Sequence, residues 1–294
     1  YTFVPRNIND IINIVKWANA EKKRVRCAGY RHTWNNVYAD DNEVLIAMIP
    51  FKQSQMWSEK SCDQMCDLKN ITMVRPPAND KHGLVRVGSS VDNEDFKEWC
   101  KLNHSCIPMN VIMTENTIGG IVSTMSHGAG INNETVSDLV YGVNIIDYKG
   151  NIRHYNRTND PDAMEVLSGG LGMCGILVSM ILKIFPEKFA LMLPISEKME
   201  MAVPRWGCDE IFKNRILENH YNEFFWFPFS ENIWMNLWKT TDSRSGSSRY
   251  PNLCESITQK ILSKCGELAI NNFVGYLPGR AQCSLFSSAA MSTL

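Results

Sequence analysis

The glycine-rich stretch at residues 117–130, TIGGIVSTMSHGAG, constrains the fold of this chain more than any other segment. It combines four glycines with small hydroxyl-bearing side chains and one histidine, His127, so almost nothing in it can serve a hydrophobic core. Because glycine has no Cβ atom, it lets the backbone approach a ligand closely, and its positive φ values can present N–H groups to an anion. The stretch is therefore either a ligand-binding loop or a glycine-rich surface turn.

A second segment of the same character, AGYRHTW at residues 28–34, favours the ligand-binding interpretation. Two such loops in one domain indicate a cofactor that carries phosphate groups, because backbone N–H groups in loops of this kind bind anions. The sequence therefore predicts one cofactor site built from two distant parts of the chain.

A third glycine-rich segment, GLGMCG at residues 170–175, fits the G-x-G-x-x-G pattern of Rossmann dinucleotide sites. That pattern binds a pyrophosphate only when a strand precedes it and a helix follows it. Here a predicted helix precedes the segment and a predicted strand follows it. We therefore expect a tight turn at this place, either beside a ligand or without one, and no Rossmann site.

The composition is that of a globular protein, with 44% hydrophobic and 21% charged residues in a chain of 294. A net charge of −1 gives no basic surface for nucleic acid, and no apolar run approaches the roughly 20 residues that span a bilayer. The cysteines lack the CxxC pairs and histidine partners of a zinc site. We therefore expect no nucleic acid, no membrane span and no metal.

Short strands and a few helices follow one another along the chain, which predicts an α+β fold. The predicted helices cover residues 5–23, 91–102, 161–167 and 254–268. The predicted strands cover residues 24–28, 43–49, 83–87, 136–144, 145–155 and 176–185, and two more strands joined by a turn over 224–238.

The character of the chain changes after Pro186, and we predict a domain boundary there, between residues 1–186 and 187–294. The second part looks too short and too irregular to close a sheet of its own. Its strand rich in Phe and Trp would expose a large apolar area, which is uncommon in monomers. We therefore expect either further chain or a second polypeptide to complete this domain, and expect residues 1–294 alone to bind cofactor poorly, aggregate and show little activity.

The chain resembles the vanillyl-alcohol oxidase family, whose members share the PCMH-type FAD-binding domain, in four segments that occur in the family's order. These segments are VPRNINDIINIVKWANAEKKRVRCAGYRHTW at 4–34, VRVGSSVDNEDFKEWC at 85–100, PMNVIMTENTIGGIVSTMSHGAG at 108–130 and LSGGLGMCGILVSMILKIFPE at 167–187. The GYRHT loop and the FFWFP segment at 224–228 are most similar to the aldonolactone and alditol oxidases, such as gulonolactone or arabinonolactone oxidase.

The resemblance implies a PCMH-type fold of two subdomains that binds FAD, followed by part of an α+β substrate (cap) domain. The loop that would surround the FAD pyrophosphate with N–H groups consists of Gly29, Tyr30, Arg31, His32 and Thr33. The positions that match residues lining the flavin and its phosphates are Thr117, Gly119, Gly120, Thr124, His127 and Gly128. Ile176 matches the residue whose backbone meets the adenine, and Gly119 would leave room for dioxygen beside the flavin.

His32 matches the histidine that in many members is bonded to the 8α-methyl group of the isoalloxazine. Other members hold the flavin without this bond, so a loop histidine that only hydrogen-bonds to its neighbours is the alternative. The resemblance thus implies FAD as the cofactor, with covalent attachment through His32 as one of two arrangements.

The activity that the resemblance implies is oxidation of a CH–OH group of a sugar lactone, polyol or related carbohydrate, with electrons passing from FAD to dioxygen. Members of the group also carry an acidic–basic pair and a segment with His, Pro and Lys over the flavin, and no match to that segment occurs before Leu294. The catalytic residues are therefore not identified. A catalytically incomplete binding or structural subunit with the same fold is the alternative to an oxidase.

Ten cysteines and four N-x-S/T sequons, at Asn70, Asn103, Asn133 and Asn156, favour a secreted or luminal protein. Local disulfides are compatible with this location, and the sequence does not define their connectivity. A membrane-associated or cytoplasmic protein stays open as an alternative. The chain begins at Tyr1, so we expect any targeting segment to be removed or outside the sequence.

Overall fold

The computed structural model describes residues 1–35, 37–49, 66–78, 81–203, 210–247 and 253–293. The chain divides into two compact units. Unit 1 comprises residues 1–128 and 133–187, and unit 2 comprises residues 129–132 and 188–294.

Unit 1 begins with a small parallel sheet covered by one helix. Its elements are β1 (Thr2–Phe3), α1 (Ile8–Ala20), β2 (Val25–Ala28) and β3 (Val44–Ala47), and β3 lies between β1 and β2. Parallel strands of one sheet need a crossover connection, and α1 provides it between β1 and β2, which lie on either side of β3.

Helix α1 forms where the sequence predicts a helix over residues 5–23. The Asn7 side chain caps its start by accepting the Asp10 N–H at 2.9 Å. Ile11, Val15 and Ala18 recur at helical spacing and are fully or nearly fully buried against the small sheet. This packing fixes the small sheet as a platform at the start of unit 1.

The remainder of unit 1 is built around a larger antiparallel sheet with the order β4-β5-β9-β7-β8, in which β6 also pairs with β9. The elements are β4 (Ile71–Arg75), β5 (Gly83–Gly88), α2 (Asn93–Leu102), β6 (Ser105–Cys106), α3 (Ile118–Ser123), β7 (Val140–Ile146), β8 (Ile152–Asn156), α4 (Pro161–Leu167) and β9 (Ile176–Pro186).

Strand β9 is central in this sheet and joins the two cores of unit 1. Its buried residues alternate with half-buried ones, as in a strand with one face on a core. Ile176 and Val178 pack with the small parallel sheet, whereas Met180 and the buried residues after it pack in the main core with Phe96. The strand predicted at 176–185 is therefore confirmed, and it connects both halves of the unit.

Unit 2 contains a three-stranded antiparallel sheet with the order β10-β12-β11 and several helices. Its elements are β10 (Phe189–Lys198), α5 (Met199–Ala202), α6 (Glu210–Leu217), β11 (Tyr221–Trp226), β12 (Asn232–Thr241), α7 (Leu253–Asn272) and α8 (Gly279–Thr293). Ile233, Met235 and Leu237 of β12 alternate along the strand and form the buried core of this sheet with Ala202.

The expectation that residues 187–294 cannot close a sheet of their own is wrong. The reason is β10, which sequence reasoning missed and which pairs with β12 over ten residue pairs. Its sequence, FALMLPISEK, contains Pro194 and lacks a regular alternation of polar and apolar residues. Proline is tolerated in a strand at the edge of a sheet, and β10 is such an edge strand.

Two other predicted segments differ in detail from the structure. The strand predicted over 136–144 begins with a 3₁₀ turn at Val136–Leu139, and only Val140–Ile146 is extended. The glycine-rich stretch, predicted as a loop, contains the short helix α3. The hairpin turn predicted at Lys149–Gly150 is present between β7 and β8, with Gly150 at a φ of 79°.

The cysteines whose side chains the structure describes form no disulfide with one another, so the local disulfides considered from the sequence are not found among them. The side chains of Cys62, Cys66 and Cys208 lie outside the described part. Among the described helices, none combines the length and apolar character needed to cross a bilayer.

Candidate functional site

A cavity of about 290 Å³ lies in unit 1, at the ends of the parallel strands β2 and β3. The carboxyl ends of parallel strands meet at one edge of a sheet, and ligands of open α/β sheets bind outside that edge. Ala28, which ends β2, and Met48, which follows β3, both line the cavity. The first glycine-rich loop starts directly after Ala28, so the small sheet positions it over the cavity.

The structure brings ten of the twelve predicted site residues to this one cavity. They are Gly29, Tyr30, Arg31, His32, Thr33, Thr117, Gly119, Gly120, Thr124 and Ile176. The other two do not line it. His127 is exposed with its Nδ1 atom 3.0 Å from the Gly128 carbonyl oxygen, and a Cβ atom on Gly128 would lie 2.4 Å from the Asn110 carbonyl oxygen.

Thr117 joins the two glycine-rich loops. Its side chain caps α3, with Oγ1 accepting the Gly120 N–H at 3.1 Å. The same Oγ1 atom would lie 2.6 Å from a Cβ atom on Gly29. A side chain at position 29 would therefore displace the cap, which explains physically why glycine occupies this position.

Gly119 is buried inside α3 against the segment that follows β5. Its N–H donates to the Ser89 carbonyl oxygen at 3.0 Å, and a Cβ atom would lie 2.6 Å from that oxygen. The close approach of Ser89 therefore requires glycine at position 119, whether or not a ligand is bound. Space for dioxygen beside Gly119 stays a prediction.

The GLGMCG segment lies between α4 and β9, so the helix precedes it and the strand follows it, as the sequence predicts. Gly172 and Gly175 have φ values of 69° and 128°, which side-chain-bearing residues rarely adopt. Both glycines line the cavity together with Ile176, which starts β9. The segment is therefore a turn that forms one wall of the cavity.

His32 places a buried ring nitrogen in the wall of the cavity. Its Nε2 atom is buried and has no hydrogen-bond partner among the described residues, and the Oε1 atom of the Glu115 carboxylate lies 3.5 Å away. The Tyr30 ring lies beside the imidazole, with 6.4 Å between the ring centroids. A buried ring nitrogen without a partner is costly unless a ligand or a tightened contact satisfies it.

A second, larger cavity of about 670 Å³ adjoins the first and shares Tyr38, Gly172, Gly175 and Ile176 with it. Its other walls include basic and acidic side chains that lie after α1, at or within β2, before β3 and after β7, namely Lys23, Arg24, Arg26, Asp40, Glu43 and Asp147. Tyr38 was missed in the sequence because it lies in an irregular segment without a motif. The two cavities together provide room for an extended ligand.

Cys27 lines the first cavity but is not a nucleophile. Desolvation raises the pKa of its thiol to about 12, and the nearby Arg26 lowers it by a smaller amount. The thiol therefore stays protonated at neutral pH, and only a thiolate is nucleophilic.

Unit 2 carries a polar and aromatic cluster on the face of its sheet opposite the buried core. Glu223 Oε2 accepts the Asn236 side-chain amide at 3.2 Å and the Trp238 indole N–H at 3.1 Å. Tyr221 stacks on Trp238 with 5.1 Å between ring centroids. Glu223 is thus half-buried and held in place by these two hydrogen bonds.

Comparison with known proteins identifies the cofactor of this site. Residues 1–156, more than half of the chain, match the family described as FAD binding domain, and this range includes both glycine-rich loops. The chain belongs to this family. FAD is therefore the cofactor, as the sequence predicts, and the fold is the α+β PCMH-type fold of FAD-binding oxidases.

Two groups of curated relatives are similar to most of this FAD-binding chain. D-arabinono-1,4-lactone oxidase of Saccharomyces cerevisiae is 21% identical over 84% of this chain and 43% of the relative, and L-gulonolactone oxidase of Mus musculus is 18% identical over 79% and 46%. The chain therefore spans less than half the length of these relatives. A crystal structure of cholesterol oxidase from B. sterolicum shares the fold with a TM-score of 0.67 at 21% identity, over 99% of this chain and 56% of that chain.

The residues around the cavity fit FAD. The contacts of Gly29 and Gly119 leave no room for side chains, so backbone forms the cavity wall at both loops. The buried Nε2 atom of His32 is an unsatisfied polar group in that wall. A ligand with both phosphate and aromatic ring parts matches this combination of backbone, hydroxyl and imidazole groups.

Proposed function

We propose that this chain holds FAD in unit 1 and is the flavin-binding part of an oxidase that acts on a CH–OH group of a sugar lactone, polyol or related carbohydrate. The observation that carries the proposal is that one cavity is lined by ten of the predicted site residues, nine from two loops far apart in the sequence and Ile176 from the start of β9. The similarity to lactone oxidases of yeast and mouse supports the substrate class and dioxygen as the electron acceptor.

The chain's own residues would divide the binding of FAD between them. The loop from Gly29 to Thr33, with Thr124 opposite, would hold the pyrophosphate, and the backbone at Ile176 would meet the adenine. Thr117 would fix the relative position of the two loops through its contact with Gly29. When bound, the flavin supplies the redox chemistry by accepting a hydride from the substrate and passing electrons to dioxygen.

His32 would attach the flavin covalently. Two observations support this role: the imidazole lines the cavity, and its Nε2 atom is buried without a hydrogen-bond partner among the described residues. A loop histidine that only hydrogen-bonds to its neighbours, the alternative, would have both ring nitrogens bonded to protein groups, with neither left for the flavin.

Residues 187–294 would contribute part of a substrate-covering domain, completed by further chain or by a second polypeptide. The half-buried Glu223, held by Asn236 and Trp238, supports this proposal because fixed carboxylates beside aromatic rings suit polyhydroxylated ligands. Exposed aromatic side chains such as Trp226 and Phe229, which are 54% and 58% exposed, also support a partner surface. A soluble, monomeric and fully active preparation of residues 1–294 would contradict this part.

Titration of the purified chain with FAD tests the function directly. We expect saturable binding of one FAD, with the visible absorption bands of a flavoprotein, and much weaker binding of riboflavin, which lacks the pyrophosphate. From the sequence alone we expect residues 1–294 to bind FAD poorly. We now expect saturable binding instead, because every residue that lines the cavity belongs to unit 1.

The outcomes of this titration separate the candidate functions. A chain that fails to bind FAD contradicts the proposal. A chain that binds FAD but does not oxidise sugar lactones or polyols, even when extended or supplied with a second chain, supports the catalytically incomplete subunit instead. Hydrogen peroxide formed with a lactone or polyol substrate supports the oxidase.

The location proposed for the protein is secreted or luminal, with N-glycosylation. Asn70 and Asn103 are the two exposed sequons, and both lie in unit 1. Protein isolated from its natural source is expected to lose mass on digestion with an N-glycosidase, and Asn70→Gln with Asn103→Gln is expected to reduce that loss. An unchanged mass would contradict the proposed location.

A further inference from the structure

Glu115 is held in a fixed position beside His32 by the backbone on both of its sides. The carbonyl oxygen of Thr114 accepts the Glu94 N–H at 2.9 Å, and the carbonyl oxygen of Asn116 accepts the Asn93 N–H at 2.8 Å. These two bonds tie the segment to the first turn of α2. The segment that carries Glu115 is thus part of a rigid framework and not a free loop.

The two oxygen atoms of the Glu115 carboxylate have different neighbours. Oε2 accepts the Thr114 hydroxyl at 3.2 Å, which orients the carboxylate. Oε1 then lies 3.5 Å from the buried Nε2 atom of His32. This distance is longer than a formed hydrogen bond, and such contacts tighten when a ligand completes a site.

We propose that Glu115 is a positioning residue for His32, accepting its Nε2–H and so presenting the lone pair of Nδ1 for attachment to the flavin. The inference rests on the proposed function, because it concerns how His32 becomes attached to FAD. A carboxylate that bonds to one imidazole nitrogen fixes the tautomer and orientation of the ring and raises the basicity of the other nitrogen.

The attachment step balances with dioxygen as the oxidant. An N–C bond forms between the imidazole and the 8α-methyl carbon, while one C–H bond of the methyl group and the Nε2–H bond of the imidazole break. Two electrons and two protons pass to the isoalloxazine ring, and dioxygen then takes them up as hydrogen peroxide. The imidazole becomes cationic before Nε2 loses its proton, so the negative charge of Glu115 favours the step.

The test follows the covalently bound fraction of flavin in the full chain, independently of enzyme activity. Apoprotein is incubated with FAD in air, and samples taken over time are denatured and separated by electrophoresis, where only covalent flavin stays fluorescent on the protein band. We expect Glu115→Gln to slow this labelling about tenfold or more while total FAD binding is retained, and Glu115→Asp to restore part of the rate. If Glu115 served only to maintain the fold, its replacement would lower the labelling rate and total FAD binding together.

Glu187→Gln is the matched control. His104 and Glu187 form another histidine–glutamate pair in unit 1, with 3.4 Å between Nδ1 and Oε2, and neither residue lines the cavity. This variant is expected to label at the rate of the wild type.

Three outcomes distinguish a failure of the role of Glu115 from a failure of covalent attachment and from a failure of FAD binding. Equal labelling of wild type and Glu115→Gln overturns the role of Glu115 and leaves the proposed function intact. A wild type that binds FAD but releases all of it on denaturation overturns the inference and the covalent attachment, but not FAD binding. A wild type that binds no FAD overturns the proposed function itself.

Discussion

Replacing Gly119 by alanine is expected to destabilise unit 1 and to remove most FAD binding. The new Cβ atom would lie 2.6 Å from the Ser89 carbonyl oxygen and 2.8 Å from the Ser89 Cβ atom, and contact below 3.0 Å with backbone requires the backbone to move. Overpacking of this kind typically costs about 1–3 kcal/mol of unfolding free energy. Because Ser89 and Gly119 both line the cavity, the movement also distorts the site.

Urea denaturation followed by circular dichroism, together with FAD titration, measures both effects. The matched control is Gly266→Ala in α7, where no described atom beyond its chain neighbours and its own helix backbone lies within 4 Å of the added Cβ. Alanine within a helix is favoured over glycine by roughly 0.5–1 kcal/mol, so this control is expected to be neutral or stabilising. Equal stability and equal FAD affinity for Gly119→Ala and wild type would show that the packing of α3 against Ser89 is wrong.

Replacing His32 by alanine is expected to abolish covalent flavin completely while FAD still binds reversibly. The bond needs the imidazole, whereas the backbone of the loop that begins at Gly29 and the hydroxyl groups of Thr117 and Thr124 remain. Acid precipitation should leave yellow colour in the wild-type pellet and release it from His32→Ala into the supernatant. The reversible affinity is expected to be lower than in wild type.

His127→Ala is the control for this experiment, because both histidines are candidates from the sequence but only His32 lines the cavity. The His127 side chain is exposed, with Nδ1 close to the Gly128 carbonyl oxygen. We expect its replacement to leave the covalent flavin unchanged. Wild-type colour released wholly into the supernatant, or colour lost from the pellet of His127→Ala, would contradict this assignment.

The elements of unit 1 that the sequence predicts are those in which the spacing of apolar residues matches the residues that are buried in the structure. Helix α1 has Ile11 and Val15 at helical spacing, and β9 alternates regularly from Ile176 onward. The glycine-rich loops are also visible in the sequence, since close backbone contacts such as that of Gly29 with Thr117 exclude other residues. These features are decided by local sterics and periodicity.

The features that sequence reasoning missed depend on distant partners. Strand β10 has no clear alternation, and its extended conformation is stabilised by pairing with β12. Nothing in the local sequence separates His127, which lies outside the cavity, from His32, which lies inside it. Glu115 lies in the segment at 108–130 that carries the resemblance, but its closeness to His32 arises only because α2 holds that segment next to a loop from the start of the chain.

The central place of β9 has a consequence for how the site is made in the cell. The cavity needs the loop after Ala28 and also the turn that leads into β9, which the ribosome adds much later. At about 5–20 residues per second, the interval between these two segments is roughly 7–30 s of synthesis. From their own synthesis until β9 is added, β5 and β7 lack their common neighbour, so the nascent chain has open strand edges before flavin can load.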